Sequence, residues 1–237
     1  MSSFEFGRYV FGPPYLDWLC RGVLMTLIIA AISTVGAGGF GLLVLRCHVS
    51  TRRALRIAGA VFVAVFRNLP LVPLLLFLTF GLPGLWRQLV GRPFPVGLDL
   101  HLLLLGLALN TGAYLAEILR AGVEAIAPQQ VDAARTLGIS PALIRRRVIY
   151  PQAIRMVTPA LCSRVIHNMK NSTLALVVPL PVDMMEVVGQ AGRIAGQTFS
   201  WAEPLIFAAC VHLLLAFGLS LLLNPWATRI QARIGPS

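Results

Sequence analysis

The one lysine of the chain lies in an apolar run, beside side chains that can donate hydrogen bonds. Lys170 is followed directly by Asn171 and, two residues later, by Thr173. An ionisable residue within a membrane-length segment is a functional-site candidate, because exposing its charge to lipid is costly. A lysine among amides and hydroxyls can hold a carboxylate in a water-lined cavity. The sequence leaves open a second interpretation, in which Lys170 reaches to the membrane interface or bridges two helices.

A second polar pair, Asn110 and Thr111, lies in another uncharged run, at 100–116. Asparagine and threonine side chains in such a run usually face protein or water rather than lipid. We therefore expect a substrate pathway beside five residues of the two runs: Asn110, Thr111, Lys170, Asn171 and Thr173.

The polar stretch from Pro128 to Pro151 separates two strongly apolar regions. Pro128 suits the first position of a helix, and Gly138 suits a left-handed residue that ends it. Ser140 followed by Pro141 repeats the start signal, so a second helix should run from Pro141 until Pro151 interrupts it. These residues predict a helix, a tight corner and a second helix, which could enter a groove on a partner protein.

This spacing resembles the EAA motif of ABC-transporter permeases, with Asp132 in place of the motif's glutamate, Val148 in place of isoleucine and Tyr150 in place of leucine. In such permeases the segment docks into a cleft of the ATP-binding subunit, which is what the resemblance implies here. An ordinary surface helix-turn-helix is the alternative. The residues that we expect to couple the chain to an ATPase are Asp132, Ala133, Ala134, Gly138, Arg145 and Pro151.

The chain lacks the residues for its own nucleotide chemistry. A P-loop needs GxxxxGK[ST], and the only lysine stands between Met169 and Asn171. The glycines at 36–41 lie in mid-span, where small residues permit close helix packing, and this is favoured over a phosphate loop. The dispersed histidines and cysteines predict no metal site. We expect no catalytic residue and no cofactor in this chain, with ATP and Mg²⁺ bound by a partner subunit.

Composition indicates an integral membrane protein. Of 237 residues, 57% are hydrophobic and 12% are charged, whereas a soluble domain has about 25% charged residues. The length fits one membrane domain, covering residues 1–237. The formal net charge of +11 raises the possibility of nucleic-acid binding, but no basic run is interleaved with aromatic residues, so we expect no nucleic-acid partner.

Apolar runs of about 20 residues predict an all-α protein with five membrane spans, at 22–45, 68–86, 100–116, 156–182 and 204–228. Residues 54–66 should lie along the interface, 117–155 should form the cytoplasmic coupling segment, and 87–99 and 183–203 should form external loops. On this topology 13 arginines are cytoplasmic and five are external. The positive-inside bias then places the N-terminus outside and the C-terminus inside.

Three further motifs resemble the permeases of polar amino-acid uptake, with the glutamate/aspartate branch as the best match: FRNLP at 66–70, NTGAYLAE at 110–117 and MKNST at 169–173. The resemblance covers roughly residues 20–225. It implies the type I ABC importer permease fold in the bacterial inner membrane, surrounded by lipid. It also implies an ATP-binding subunit dimer, a second permease subunit (identical or paralogous) and an extracytoplasmic amino-acid-binding protein.

A self-sufficient secondary transporter or channel is the alternative function. Such carriers are usually longer, with internal repeats and buried residues for a coupling ion, and this sequence shows neither.

Overall fold

The computed structural model describes residues 6–232, and every regular element in this part of the chain is helical, as predicted. The α-helices are α1 (Phe6–Phe11), α2 (Tyr15–His48), α3 (Arg53–Asn68), α4 (Leu71–Leu76), α5 (Leu82–Val90), α6 (Asp99–Glu124), α7 (Pro128–Thr136), α8 (Pro141–Ile144), α9 (Tyr150–Asn171), α10 (Val187–Thr198) and α11 (Ala202–Ala232). Wider π turns at Phe77–Gly81 and Arg145–Ile149 join α4 to α5 and α8 to α9, and 3₁₀ turns follow α9 at Ser172–Val177 and Val182–Met184.

Four helical stretches are long and apolar enough to cross a membrane: α2, the α4–α5 path at Leu71–Val90, α6 and α11. They correspond to the first, second, third and fifth predicted spans. The helix at the fourth position, α9, has 22 residues, which is about 33 Å at 1.5 Å per residue, but its sequence is more polar. Among its polar side chains, Asn168 is buried and Arg164 contacts α6, whereas Lys170 is exposed.

Among the described helices, α2 and α6 form the most extensive contact, and small residues allow their approach. A Cβ at Gly112 would lie 2.7 Å from Cβ of Phe40 and 3.2 Å from the carbonyl oxygen of Ala37. A Cβ at Gly41 would lie 3.0 Å from Cβ of Leu115. Close packing is therefore confirmed for Gly36 and Gly41 of the predicted run, whereas a Cβ at Gly38 or Gly39 would meet nothing within 4 Å.

The segment 183–203 is not the predicted loop, because it contains α10. Glu186 caps the helix by accepting hydrogen bonds from the backbone N–H groups of Val188 and Gly189, both at 2.9 Å. Val187 approaches so closely that a Cβ at Gly22 would lie 2.7 Å from its Cα. Glu186, an acidic residue in a segment predicted to be a loop, is thus a buried helix cap.

Burial raises the pKa of Glu186 to about 7, against the opposing effect of its two backbone hydrogen bonds. Glu186 lies outside the four apolar spans. The environment therefore favours the neutral carboxyl, since desolvation disfavours its charged form.

Two predicted helix ends are also wrong. The second helix of the coupling segment does not stop at Pro151: the π turn leads directly into α9, and Pro151 occupies its first turn, where a missing N–H is tolerated. The third span does not stop at residue 116, because α6 continues to Glu124. Its charges there are paired, with Arg120 at 2.7 Å from Glu117 and at 2.6 Å from Glu124.

Candidate coupling segment and polar cavity

The corner after α7 has the predicted geometry. Gly138 has φ +75°, in the left-handed region. Its N–H donates to the carbonyl of Arg135 (2.9 Å), and the N–H of Ile139 donates to the carbonyl of Ala134 (3.2 Å). These two bonds form a Schellman motif, which satisfies carbonyls at the end of the helix. The sequence therefore determines the direction in which the chain leaves α7.

The second helix also starts as predicted. Ser140 accepts a hydrogen bond from the N–H of Leu143 at 3.4 Å, and Pro141 occupies the first turn. Ala134 of α7 and Ile144 of α8 are both buried. The two helices thus form one small packed unit, held at a fixed angle by the corner.

The predicted coupling residues divide between the interior and the surface of this unit. Ala133 and Arg145 are exposed, whereas Ala134 packs inward. Asp132 forms an exposed ion pair with Arg135 at 3.0 Å. Leu137, which the motif did not indicate, is 79% exposed beside the corner.

Pro151 lies apart from that surface, along a groove between the C-terminal parts of α2 and α6 and the first turns of α9. The structure brings the other five predicted coupling residues into one unit and separates Pro151 from them.

A buried amide connects the three central helices. Asn168 of α9 is fully buried, and its Oδ1 accepts a hydrogen bond from the hydroxyl of Thr111 on α6 at 2.7 Å. Its Nδ2 donates to the hydroxyls of Ser33 and Thr34 on α2, both at 2.9 Å. Three helices are therefore held together by one side chain whose hydrogen-bonding groups are paired.

Next to this junction, Arg164 reaches from α9 to the predicted polar pair. Its guanidinium donates to Oδ1 of Asn110 at 2.8 Å and lies 3.8 Å from the centre of the Tyr114 ring. Nδ2 of Asn110 donates to the backbone carbonyl of Phe66 at 2.9 Å. The amide oxygen of Asn110 thus positions the arginine, while the amide nitrogen of Asn110 is held by α3.

The arginine faces a cavity of about 220 Å³. None of the described residues around this cavity is acidic, and the basic groups are two arginines and a histidine. The lining residues are Arg67, Asn68, Leu69, Pro70, Leu71, Asn110, Tyr114, Arg164, His167, Asn171 and Leu174. Such an arrangement can bind a carboxylate through charge-assisted hydrogen bonds.

The predicted pathway residues are only partly brought together. Asn110 and Asn171 line the cavity, and Thr111 lies behind it in the hydrogen-bonded junction. Lys170 is exposed and does not line the cavity. The hydroxyl of Thr173 is bonded to the carbonyl of Lys170 at 2.9 Å.

Sequence reasoning missed Arg164 and Asn168 as site residues. Their polar character was visible within an apolar run. Their spacing of four residues, which places two side chains on neighbouring positions of one helix face, was the signal that could have identified them.

Comparison with known proteins agrees with this geometry. The family described as "Binding-protein-dependent transport system inner membrane component" matches residues 37–234. The chain belongs to this family. This transport component is 32% identical over 202 residues to the arginine transport system permease protein ArtQ of Bacillus subtilis, covering 85% of this chain and 87% of ArtQ. It is 33% identical over 207 residues to the octopine transport system permease protein OccM of Rhizobium meliloti, covering 84% of this chain and 80% of OccM.

Among solved structures, a chain from the crystal structure of an amino acid ABC transporter with histidines superposes with a TM-score of 0.82. It is 28% identical and covers 97% of this chain and 100% of its own length. The fold is therefore that of a type I ABC importer permease, as predicted.

Proposed function

We propose that this transport component is the permease subunit of an ABC importer for polar amino acids. The observation that carries the proposal is the combination of a Schellman-capped coupling unit with a basic cavity in a chain of this family. The relatives named above are permease proteins for arginine and for octopine, both of which carry an amino-acid carboxylate.

We further propose that acidic amino acids, glutamate or aspartate, are the preferred substrates. The cavity supplies Arg164 and Arg67 and, among the described lining residues, no carboxylate. Arg67 also forms an ion pair with Glu117 at 3.5 Å, so Arg164 is the cavity cation without an acidic partner among the described residues. A side-chain carboxylate of the substrate can pair with Arg164, whereas the guanidinium of arginine would be repelled by it. This charge balance supports the branch that the FRNLP and MKNST motifs resemble.

ATP hydrolysis is assigned to a separate subunit dimer that docks on the unit formed by α7 and α8. The chain contains no GxxxxGK[ST] sequence, so the nucleotide and Mg²⁺ would be held by that partner. An extracytoplasmic binding protein delivers the substrate, and a second permease subunit completes the pathway. The exposed ion pair of Asp132 with Arg135 and the exposed Leu137 provide the contact surface.

Uptake by the complete complex in proteoliposomes tests the substrate assignment. Radiolabelled glutamate, aspartate, glutamine and arginine are compared for the wild type and for Arg164→Gln. We expect Arg164→Gln to lower glutamate and aspartate uptake about tenfold, because a hydrogen bond to a charged group contributes about 1.5–3 kcal/mol. Recovery of the assembled complex by size-exclusion chromatography, and the affinity of the isolated binding protein, should not change.

Lys170→Met is the matched control, since Lys170 is a cation on the same helix outside the cavity. It should lower acidic uptake less than Arg164→Gln does. Equal losses in the two variants would place the pathway along the Lys170 face of α9 instead. Uptake confined to arginine would overturn the acidic assignment and leave the importer function intact.

A further inference from the structure

An apolar groove runs between the C-terminal parts of α2 and α6 and the first turns of α9. It is separate from the polar cavity at Arg164, because the two sites share no lining residue. It encloses about 480 Å³, within the range of about 300–1,000 Å³ that is typical of ligand pockets. Its walls are Leu42, Leu45, Arg46, Val49, Leu119, Val123, Tyr150, Pro151, Ala153 and Ile154. Eight of these ten residues are apolar, so the groove suits a hydrocarbon chain.

The two exceptions provide a polar end. Arg46 is exposed and forms no ion pair or hydrogen bond with any other described residue. Tyr150 is 38% exposed and brings a phenol to the same groove. No acidic residue is among the described lining residues, so the positive charge of Arg46 is not neutralised there.

The position of Arg46 along α2 matches the depth of lipid headgroups. The uncharged run at 22–45 has 24 residues, or about 36 Å of helix, which exceeds the hydrocarbon thickness of about 30 Å. Arg46 follows this run directly and therefore lies at the level of the phosphates. Leu42, one turn earlier, is 57% exposed and continues the groove towards the hydrocarbon core.

We propose that this groove is a binding site for an anionic phospholipid. One acyl chain lies between Leu42, Leu45 and Ile154, and the phosphate and its anionic headgroup contact Arg46, with the Tyr150 hydroxyl as a second donor. Basic pockets between transmembrane helices bind anionic lipid headgroups by the same chemistry. A protein helix would fill the apolar part but would leave the unpaired cation without a partner. Because Tyr150 and Pro151 begin α9 immediately after the coupling segment, the bound lipid would also contact the base of that segment.

Native mass spectrometry of the purified complex in detergent tests this site, and it does not depend on transport. The protein is titrated with phosphatidylglycerol or with phosphatidylcholine of the same acyl chains, and bound lipid is counted. The wild type should retain phosphatidylglycerol preferentially. Arg46→Gln should weaken its binding about tenfold, since a charge-assisted contact is lost. Arg53→Gln, an exposed arginine of the next helix that does not line the groove, should change it less than twofold.

A second variant tests the apolar part of the groove. Ile154 is 46% exposed, so Ile154→Trp can fill the groove without entering the core, and it should reduce retention of both lipids. An unchanged preference in Arg46→Gln, or an equal loss in Arg53→Gln, would overturn the site. So would a change of oligomeric state in Ile154→Trp with lipid binding unchanged, because the groove would then be an interface between subunits.

Discussion

Substitution of Gly138 isolates the role of backbone geometry in coupling. Gly138 has φ +75°, and a Cβ built on it meets nothing within 4 Å. A Cβ there therefore clashes with no described neighbour in this chain, and the expected effect of a side chain comes from the left-handed backbone. The series Gly138→Asn, Gly138→Ala and Gly138→Val increases that strain stepwise.

The magnitude follows from the conformational preference of each residue. A non-glycine residue in the left-handed helical region loses about 1–2 kcal/mol, asparagine loses less, and a β-branched residue is the least compatible. A loss of about 1.4 kcal/mol shifts an equilibrium tenfold. We expect the fraction of correctly shaped corners to fall little for asparagine, about fivefold for alanine and at least tenfold for valine. The membrane helices should be unaffected, because the corner is exposed.

The assay is ATP-driven amino-acid uptake by the reconstituted complex, with ATP hydrolysis and complex assembly measured in the same preparations. Uptake per ATP hydrolysed should fall in the order asparagine, alanine, valine. Equal losses for all three would mean that the partner subunit excludes any side chain, so that contact rather than backbone shape matters. Wild-type uptake in Gly138→Val would refute the coupling corner itself.

Three other predictions concern stability and topology. Asn168→Leu removes three interhelical hydrogen bonds of roughly 0.6 kcal/mol each and should destabilise the protein by about 2 kcal/mol in micelle unfolding experiments, whereas Ser163→Leu on the exposed side of α9 should not. Because the pKa of Glu186 is raised to about 7 in the folded state from its ordinary value of 4.5, stability should fall by up to roughly 3 kcal/mol as pH rises through this interval and then level off. Glu186→Gln should remove this dependence between pH 5 and pH 8, and a wild-type melting temperature that rises over that interval would contradict the assignment. Cysteine labelling should reach Val96→Cys, whose parent residue is 96% exposed, only from outside and Gln130→Cys only from inside, and the reverse at either position would exclude the predicted topology.

Features encoded by local chemistry were predictable from the sequence. The helix start at Pro128, the corner at Gly138 and the cap at Ser140 each depend on one residue's own backbone or side chain, and all three are confirmed. The apolar spans were equally readable, because their length and composition reflect the thickness of the bilayer.

The errors share a different physical origin. Whether Glu186 faces water or caps a buried helix depends on the approach of Gly22 on α2, more than 160 residues earlier in the chain. The helix continues past Tyr150 and Pro151 because a π turn precedes them, and no residue type specifies such a turn. The pairing of Arg164 with Asn110 likewise depends on how α6 packs against α9. Long-range packing decided the environment of Glu186 and the pairing of Arg164, whereas the sequence patterns describe neighbours along one helix.

Cross-linking from the exposed corner tests the central claim, which is that the unit formed by α7 and α8 docks a separate ATP-binding subunit. A photoreactive amino acid is placed at Leu137, which is 79% exposed beside Gly138, or at Val96 as the control, and native membranes are irradiated. Mass spectrometry should identify a protein with a Walker A motif joined to position 137 and absent from position 96. Adducts at position 137 that contain only lipid or other membrane proteins, from membranes in which uptake is active, would contradict this account of coupling.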